Sequence, residues 1–251
     1  MTAQLADKVQ RSFSRSFQTY NDTASQQAWV ARKLISELRR AGAPDWFGTT
    51  FELGCGTGHL TRLLRQNFDL PDLYLNDIAP QAQATADADK AAFIAGDVRL
   101  VEWPARLDLV ASASMIQWME DPAHLLHQAA DALETGGWLA ISGFGPRQYQ
   151  ELTQIGSTAR APGLCTPEAL KAAIDGPFKV LTVGESIRQS FFATPRDVLK
   201  YLRRTGVNGR AQKSWTRSTL AQFEADYVQN FGTSYGVSLT YHPVWVTAQK
   251  R

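Results

Sequence analysis

Short apolar runs of strand length alternate with amphipathic stretches along most of this chain. In the amphipathic stretches apolar residues recur every three to four positions, which is the period of a helix with one buried face. Alternating strands and helices predict an α/β protein with a mostly parallel sheet. Strands are predicted at 49–53, 73–78, 92–95, 107–112 and 138–144, and helices at 24–40, 58–66, 81–92 and 121–133.

The second half of the chain continues this pattern and then departs from it. After two helices, one ending near 155 and one at 166–174, a sixth strand is predicted at 178–192 and a last strand at 238–249. The segment between these two strands, 193–236, is predicted to be helical and is rich in Lys and Arg.

We therefore expect a single domain over 1–251, with 193–236 as a basic helical insertion or lid and 1–42 as cap helices. Within the cap, Phe13, Phe17 and Tyr20 are spaced so that they share one helical face.

Composition narrows the class of protein. The chain has 251 residues, a net charge of +2 and two cysteines, Cys55 and Cys165. Its modest charge does not indicate a nucleic-acid partner, and two cysteines provide neither a disulfide framework nor a metal site. No apolar run reaches membrane-spanning length, and the polar N-terminus lacks the apolar core of a signal peptide. These features favour a cytoplasmic location without a metal ion or a membrane.

The most informative stretch is Glu-Leu-Gly-Cys-Gly-Thr-Gly at 52–58, between a predicted strand and a predicted helix. Glycines at every second position allow a tight turn and a close approach of the backbone to a ligand. Dinucleotide-binding loops have the wider spacing G-x-G-x-x-G. The closer G-x-G-x-G behind a glutamate resembles motif I of class I S-adenosylmethionine-dependent methyltransferases, although a chance glycine-rich turn is the alternative.

The resemblance to class I methyltransferases implies S-adenosylmethionine as the cofactor and a set of residues that contact it. Asp77 ends the second predicted strand about 20 residues beyond the glycine loop, where a carboxylate can accept hydrogen bonds from both ribose hydroxyls. A helix N-cap before Pro80 is the alternative for Asp77. The expected cofactor-binding residues near these two features are Glu52, Gly54, Gly56, Gly58, Asp77 and Ile78.

A second group of expected cofactor contacts follows the third and fourth predicted strands. In the resembling family an acidic residue in the setting of Gly96-Asp97 accepts a hydrogen bond from the adenine amino group, and Val98 would pack against the ring. A turn aspartate is the alternative. Ser112, at the end of the fourth strand, completes the expected set.

Five segments carry a narrower resemblance: the region of Tyr20-Asn21 and Gln26, 51–58, 112–118, Leu-Arg-Arg-Thr-Gly-Val-Asn at 202–208 and Leu-Thr-Tyr-His-Pro-Val at 239–244. Through them the chain is similar, over most of its length, to the malonyl-[acyl-carrier protein] O-methyltransferases of biotin synthesis. The resemblance implies a class I methyltransferase fold, a Rossmann-like seven-stranded sheet whose last strand is antiparallel. It also implies methylation of the free carboxylate of a malonyl thioester on acyl-carrier protein. A small-molecule O- or C-methyltransferase and a catalytically silent binding protein of the same fold are the alternatives.

A malonyl carboxylate is already ionised at neutral pH, so this reaction needs no general base. The four histidines are therefore expected at surface or packing positions. Arg147 is the expected anchor for a carboxylate or thioester oxygen. An arginine that holds the attacking oxygen tightly would weaken it as a nucleophile, so Tyr20 or Gln26 could take this role instead. Trp118 and Phe144 are expected to wall the substrate pocket, unless they belong to the core.

The basic insertion is expected to bind the acidic carrier protein. Lys200, Arg203 and Arg204 lie at helical spacing, opposite the apolar Leu199 and Leu202. Positive charge on one helix face would steer an acidic partner, although a merely solvated face is the usual meaning of such a run. The protein is expected to act as a monomer.

Overall fold

The computed structural model describes residues 25–204 and 216–251. The expectation for Tyr20, like those for the rest of 1–24, lies outside these residues. The strands are β1 (Thr49–Leu53), β2 (Asp72–Asp77), β3 (Ala92–Ala95), β4 (Leu107–Ala113), β5 (Leu133–Phe144), β6 (Phe178–Glu185), β7 (Arg188–Phe192), β8 (Gly232–Thr233), β9 (Gly236–Tyr241) and β10 (Pro243–Lys250). The helices are α1 (Ser25–Arg40), α2 (His59–Asn67), α3 (Gln83–Asp89), α4 (Pro122–Ala132), α5 (Gln150–Gln154), α6 (Pro167–Ala173), α7 (Pro195–Arg204) and α8 (Arg217–Phe231).

Seven strands form the main sheet in the order β3-β2-β1-β4-β5-β10-β6. β1 pairs in parallel with β2 and β4, and the parallel pairing continues to β3 on one side and to β5 on the other. β10 lies between β5 and β6 and runs antiparallel to both. The predicted fold class, a mostly parallel seven-stranded sheet with an antiparallel last strand, is confirmed.

Helices cover both faces of the main sheet because strand side chains alternate between the faces and are apolar on each. On one face, α1 and α2 bury Leu34, Leu38 and Leu64 completely. On the other face, α4 and α6 contribute Leu125, Leu126, Ala129 and Leu170 to a second cluster. Each buried leucine contributes about 1.5–3 kcal/mol by its removal from water. The two clusters hold the carboxyl ends of the parallel strands at one rigid edge.

The last third of the chain corrects two of the predicted strands. The single strands expected at 178–192 and 238–249 are each divided between two sheets, because β7, β8 and β9 form a separate sheet in the order β7-β9-β8. The chain crosses between the sheets at Ser186 and His242, where the Ser186 N–H donates to the Pro243 carbonyl at 3.0 Å. Both halves of each predicted strand are extended and partly apolar, so periodicity alone could not reveal the crossing.

The crossing at His242 is held by a network of hydrogen bonds. His242 is buried; its Nδ1 accepts from the Arg147 N–H at 3.1 Å, and its Nε2 lies 2.6 Å from a Glu185 carboxylate oxygen. Because Nδ1 accepts, Nε2 is the nitrogen that donates. His242 is therefore a packing residue, as expected, and it ties the end of β5 to the start of β10.

Two helices occupy the described part of the basic insertion. α7 and α8 pack on the small sheet through Val198, Leu202 and Tyr227, which are buried together with Leu239 and Tyr241 of β9. Residues 205–215, which include part of the segment 202–208, lie outside the described residues. Across the described ranges, no helix combines the length and the apolar character needed to cross a membrane.

Candidate functional site

A pocket opens at the carboxyl ends of β1, β2, β3 and β4, where an open α/β sheet usually binds its ligand. The loop after β1 forms its floor, and Gly54 and Gly56 adopt φ angles of 68° and 50°. A Cβ on Gly54 would lie 2.6 Å from Cγ of Met115, so only glycine fits there. Space beside Gly56 is open. The lining residues are Gln27, Glu52, Gly54–Leu60 except Gly58, Asn76–Ala79, Gly96–Val98, Ala113–Met115, Trp118 and Met119.

Asp77 sits at the end of β2 and braces the glycine loop. One carboxylate oxygen accepts from the Gly56 N–H at 2.8 Å, and the other accepts from the Ala79 N–H at 2.7 Å. Burial raises the pKa of Asp77, and the backbone N–H groups oppose this effect. Each carboxylate oxygen can accept a second hydrogen bond. The residue is therefore fixed in place and still able to bind a diol in the pocket.

Glu52 is the buried acid of this pocket. Its side chain is 2% exposed, and among the described residues Oε2 has no hydrogen-bond partner. Burial raises the pKa of Glu52 to about 8. A buried carboxylate is costly, and a cationic ligand that entered the pocket would relieve that cost.

Asp97 and Val98 lie on the opposite wall, after β3. Arg99 Nε donates to Asp97 Oδ1 at 2.9 Å, and a second guanidinium nitrogen bonds the other oxygen. Hydrogen bonding by Arg99 holds the pKa of Asp97 below its usual value. Val98 is buried, with its backbone carbonyl bonded to the Trp103 indole N–H at 2.8 Å. This wall offers an ionised acceptor beside an apolar surface, which suits an aromatic base.

A second, smaller pocket lies beside the first and shares part of its wall. Gln27, Ser114 and Trp118 line both pockets. Ser114 has a φ of 60°, which is rare for a residue other than glycine, and its buried hydroxyl has no partner among the described residues. Such strain is concentrated at functional sites. The residues that line only the second pocket are Gln117, Phe144, Gln148, Tyr149, Leu152, Thr153, Ala159–Ala161 and Leu164.

Several buried polar atoms without partners surround the two pockets. In the described part of the chain they include Oε2 of Glu52, Oγ1 of Thr57 and Oγ of Ser114 in the first pocket, and Oε1 of Gln27 and of Gln117 in the second. Native proteins leave few such groups unsatisfied without a reason. Together with the space at the glycine loop, these atoms fit a polar, partly cationic ligand with a diol and a flat base, as S-adenosylmethionine is.

The structure distinguishes two adjacent glutamines of α1. Gln26, the residue expected in the site, turns away from both pockets: its amide donates to Ser190 Oγ at 3.1 Å and accepts from Arg188 Nε at 2.9 Å. Gln27, one residue further along the helix, lines both pockets and is 6% exposed. The structure therefore places Gln27, and not the expected Gln26, in the lining of the pockets. Helical spacing did not separate the two, because Gln26 precedes the buried Val30 by four positions just as Gln27 precedes the buried Ala31.

Arg147 also lies away from the pockets. It is exposed and donates from Nε to Gln150 Oε1 at 3.2 Å, since the turn after β5 packs Gly145 against the His242 ring and directs Arg147 outward. Arg160 lines the second pocket instead, with a guanidinium N–H bonded to the Pro146 carbonyl at 2.6 Å. Arg160 belongs to an irregular loop, and no sequence pattern singled it out.

The remaining predicted residues divide between the pockets and the scaffold. Trp118 and Phe144 line the second pocket as expected, and Ile78 lines the first. Ser112 does not reach either pocket, because it is fully buried and donates to the Leu53 carbonyl at 2.8 Å between β1 and β4. Gly58 is the N-cap of α2 with a φ of 81° and lies behind the loop.

Two residues that sequence reasoning left out line the first pocket. Asn76 is buried, and its amide donates to the carbonyls of Ile94 and Gly96 at 2.9 and 3.0 Å, which joins the ends of β2 and β3. His59, expected at the surface or in packing, lies in the pocket wall, where burial lowers its pKa. Neither the hydrogen bonds of the Asn76 amide nor the position of His59 in the pocket wall leaves a pattern in the sequence.

The predicted docking residues are exposed at the end of α7. Lys200 pairs with Asp197 at 3.0 Å, and Arg203 and Arg204 occupy the last turn of the helix. On the same helix Arg196 pairs with Glu224 of α8. Much of the positive charge of the insertion therefore lies on the outside of the α7–α8 pair.

Comparison with known proteins agrees with the geometry of the pockets. Residues 51–141 match a protein family described as "Methyltransferase domain". The chain is 31% identical to the malonyl-[acyl-carrier protein] O-methyltransferase of Bacteroides fragilis over 97% of its own length and 50% of that protein. It is also 31% identical to the protein of that name from Acinetobacter baylyi, with 96% of each chain covered.

Among solved structures, the N-methyltransferase NodS from Bradyrhizobium japonicum in complex with S-adenosyl-L-homocysteine is similar in fold. Its TM-score is 0.59 at 13% sequence identity, with 97% of this chain and 98% of NodS covered. The glycine loop, the fold and the relatives together identify an S-adenosylmethionine-dependent methyltransferase.

Proposed function

Because this chain belongs to the malonyl-[acyl-carrier protein] O-methyltransferase family, we propose that it methylates the free carboxylate of a malonyl thioester on acyl-carrier protein. The reaction would begin the synthesis of the pimeloyl thioester for biotin. The observation that carries the proposal is the pair of adjoining pockets: one has the polar groups for the cofactor, and the other carries Arg160 and shares three lining residues with the first.

In this proposal the first pocket binds S-adenosylmethionine through the residues that the fold fixes there. Asp77 would accept from the ribose hydroxyls, Asp97 from the adenine amino group, and Glu52 would face the ammonium group of the amino-acid end. Val98 and Ile78 would pack against the base. When bound, S-adenosylmethionine supplies a methyl group activated by a positively charged sulfur.

The second pocket receives the malonyl group. Arg160 attracts its negative charge, while Phe144 and Trp118 exclude water. The carboxylate is ionised at neutral pH, so no side chain has to remove a proton. Attack by an anion on a sulfonium neutralises both charges, and a site that excludes water favours this step. The remaining contribution of the protein is to hold the two reactants in line.

We propose that the outer face of α7 binds the acidic carrier protein, with Lys200, Arg203 and Arg204 as its centre. Reversing the charge of Arg203 and Arg204 together should raise KM for the malonyl carrier and make this KM less dependent on salt concentration. Charges at the rim of an interface act mainly by raising the association rate of an oppositely charged partner. Reversal of Lys171 and Lys179, exposed on α6 and β6, is the matched control. Turnover of a malonyl thioester of N-acetylcysteamine should not change. Equal effects of the two double variants would rule out this docking face.

Intact-mass spectrometry of the carrier protein tests the proposed reaction. We expect the malonyl carrier to gain one methyl group when it is incubated with the enzyme and S-adenosylmethionine, and the acetyl carrier to gain none. Methylation of malonyl-CoA with equal efficiency would retain the reaction and remove the docking role of α7. Absence of transfer to every malonyl thioester, with cofactor bound, would favour a small-molecule acceptor.

A further inference from the structure

The wall shared by the two pockets defines where methyl transfer takes place. A methyl group passes in a straight line between the sulfur and the attacking oxygen, which lie close together at that moment. The two reactants can approach each other only where the pockets join. Within the described residues, Gln27, Ser114 and Trp118 are the side chains that line both pockets. These side chains are therefore positioned to touch both reactants.

Gln27 differs from the other two in its chemistry and its burial. It is 6% exposed, and its Oε1 has no hydrogen-bond partner among the described residues. A primary amide offers N–H donors and a carbonyl acceptor in one rigid plane. Leaving such a group buried and unpaired costs about 1–3 kcal/mol. Because the unpaired Oε1 is an acceptor, it would be satisfied by a polarised C–H group of a ligand, while the N–H groups of the same amide can donate to a carboxylate.

The fold holds Gln27 in place from behind. The neighbouring Gln26 bonds Ser190 and Arg188 of β7, and the Arg188 guanidinium lies 4.1 Å from the centre of the Trp29 ring. These contacts fix the start of α1 against the small sheet. The direction of the Gln27 side chain is therefore set in part by the tertiary contacts of its neighbours Gln26 and Trp29.

We propose that Gln27 holds the acceptor carboxylate at the point of methyl transfer, an inference that rests on the proposed function. Its N–H donates to one carboxylate oxygen while its carbonyl faces the polarised methyl group. In the reaction a lone pair of the carboxylate forms the new O–CH₃ bond, the S–CH₃ bond breaks, and its electrons stay on sulfur. The products are a neutral ester and a neutral thioether, and no proton moves.

A neutral donor suits this position better than an arginine. The carboxylate loses its negative charge as the ester forms, so a guanidinium at the reacting oxygen would stabilise the ground state more than the transition state. An amide N–H donates a weaker hydrogen bond than a guanidinium and can still position the carboxylate. Arg160, which lines only the second pocket, can attract the substrate without touching the reacting oxygen.

Steady-state kinetics of Gln27→Ala and Gln27→Glu test this assignment, with Ser36→Ala, at an exposed position of the same helix, as the control. Loss of a hydrogen bond to a charged group should lower kcat/KM for the malonyl carrier by roughly 10- to 100-fold in Gln27→Ala. Affinity for S-adenosylhomocysteine, measured by calorimetry, should stay within about 2-fold because this product lacks the methyl group that the Gln27 carbonyl faces. The added charge in Gln27→Glu repels the carboxylate, so we expect a larger loss of acceptor turnover without weaker cofactor binding.

The outcomes separate the two proposals. An active wild-type enzyme with unchanged kinetics in Gln27→Ala would overturn the role of Gln27 alone. A loss confined to S-adenosylhomocysteine affinity would also overturn it, since Gln27 would then contact the cofactor only. A wild-type enzyme that methylates no malonyl thioester would overturn the proposed function, and the acceptor role of Gln27 with it.

Discussion

Replacing Glu52 by Gln should stabilise the cofactor-free protein and weaken cofactor binding at the same time. Glu52 is 2% exposed, and no described residue hydrogen-bonds its Oε2. Burial raises its pKa from the ordinary 4.5 to about 8. At neutral pH the folded state therefore keeps a proton on this carboxyl that the unfolded state releases, and this difference favours unfolding.

The size of the effect follows from the two pKa values. Each pKa unit corresponds to about 1.4 kcal/mol. Because pH 7 lies 2.5 units above the ordinary pKa of 4.5, keeping Glu52 protonated in the folded state disfavours folding by roughly 3 kcal/mol at this pH. Below pH 4.5 both states are protonated and the penalty vanishes. Between pH 4.5 and about 8 the contribution of Glu52 to stability falls as pH rises, and above about 8 it is constant. Glutamine has no proton to release, so the variant should lose this slope.

Urea unfolding at pH 5 and pH 8 measures the difference, with exposed Glu102→Gln as the control. We expect Glu52→Gln to exceed the wild type in free energy of unfolding at pH 8 by more than at pH 5, and Glu102→Gln to match the wild type at both. Stabilisation by S-adenosylmethionine should fall in Glu52→Gln, because a charged partner is lost. A variant that is less stable than the wild type at pH 8, or that keeps the same pH slope, would refute the reasoning.

Three further substitutions test other parts of the site. Gly54→Ala should abolish the rise in melting temperature caused by S-adenosylhomocysteine, since the new Cβ would lie 2.6 Å from Met115 and φ is 68°. Retention of that rise would show that the loop can adapt. Arg99→Gln should weaken S-adenosylhomocysteine binding by roughly 3- to 10-fold in calorimetry, because Asp97 loses the partner that orients it, whereas unchanged affinity would remove Arg99 from the site. Arg188→Ala should lower the free energy of unfolding by about 1–2 kcal/mol in urea, from the loss of its hydrogen bond and of its stacking on Trp29. No change in stability would mean that these contacts do not hold α1.

Features encoded by neighbouring residues could be predicted from the sequence. The glycine loop and Asp77 are examples, because a tight turn demands glycine and the end of a strand places its next polar residue at the sheet edge. The mostly parallel seven-stranded sheet with its antiparallel last strand was predicted once the alternation of strands and helices was linked to a known fold. Each of these features depends on contacts within a short stretch of chain.

Features that depend on tertiary contacts could not be predicted from the sequence. The choice between Gln26 and Gln27 depends on the rotation of one helix by a single residue, which Arg188 and Ser190 fix from a distant strand. Arg160 reaches the second pocket from an irregular loop. The division of two predicted strands between sheets depends on the bonds around His242, and none of them leaves a periodic pattern.

The position of β10 also determines the order in which the main sheet can assemble. A ribosome releases β6 before β10, yet β6 joins the sheet only by pairing with β10. The strands β1 to β5 can form a smaller sheet during synthesis, but its β5 edge, buried along most of its length in the folded protein, has no partner until β10 arrives. Apolar unpaired edges promote aggregation, and such late, long-range pairing slows folding. The nascent chain therefore passes through a stage at which a chaperone that covers strand edges would raise the yield of folded enzyme.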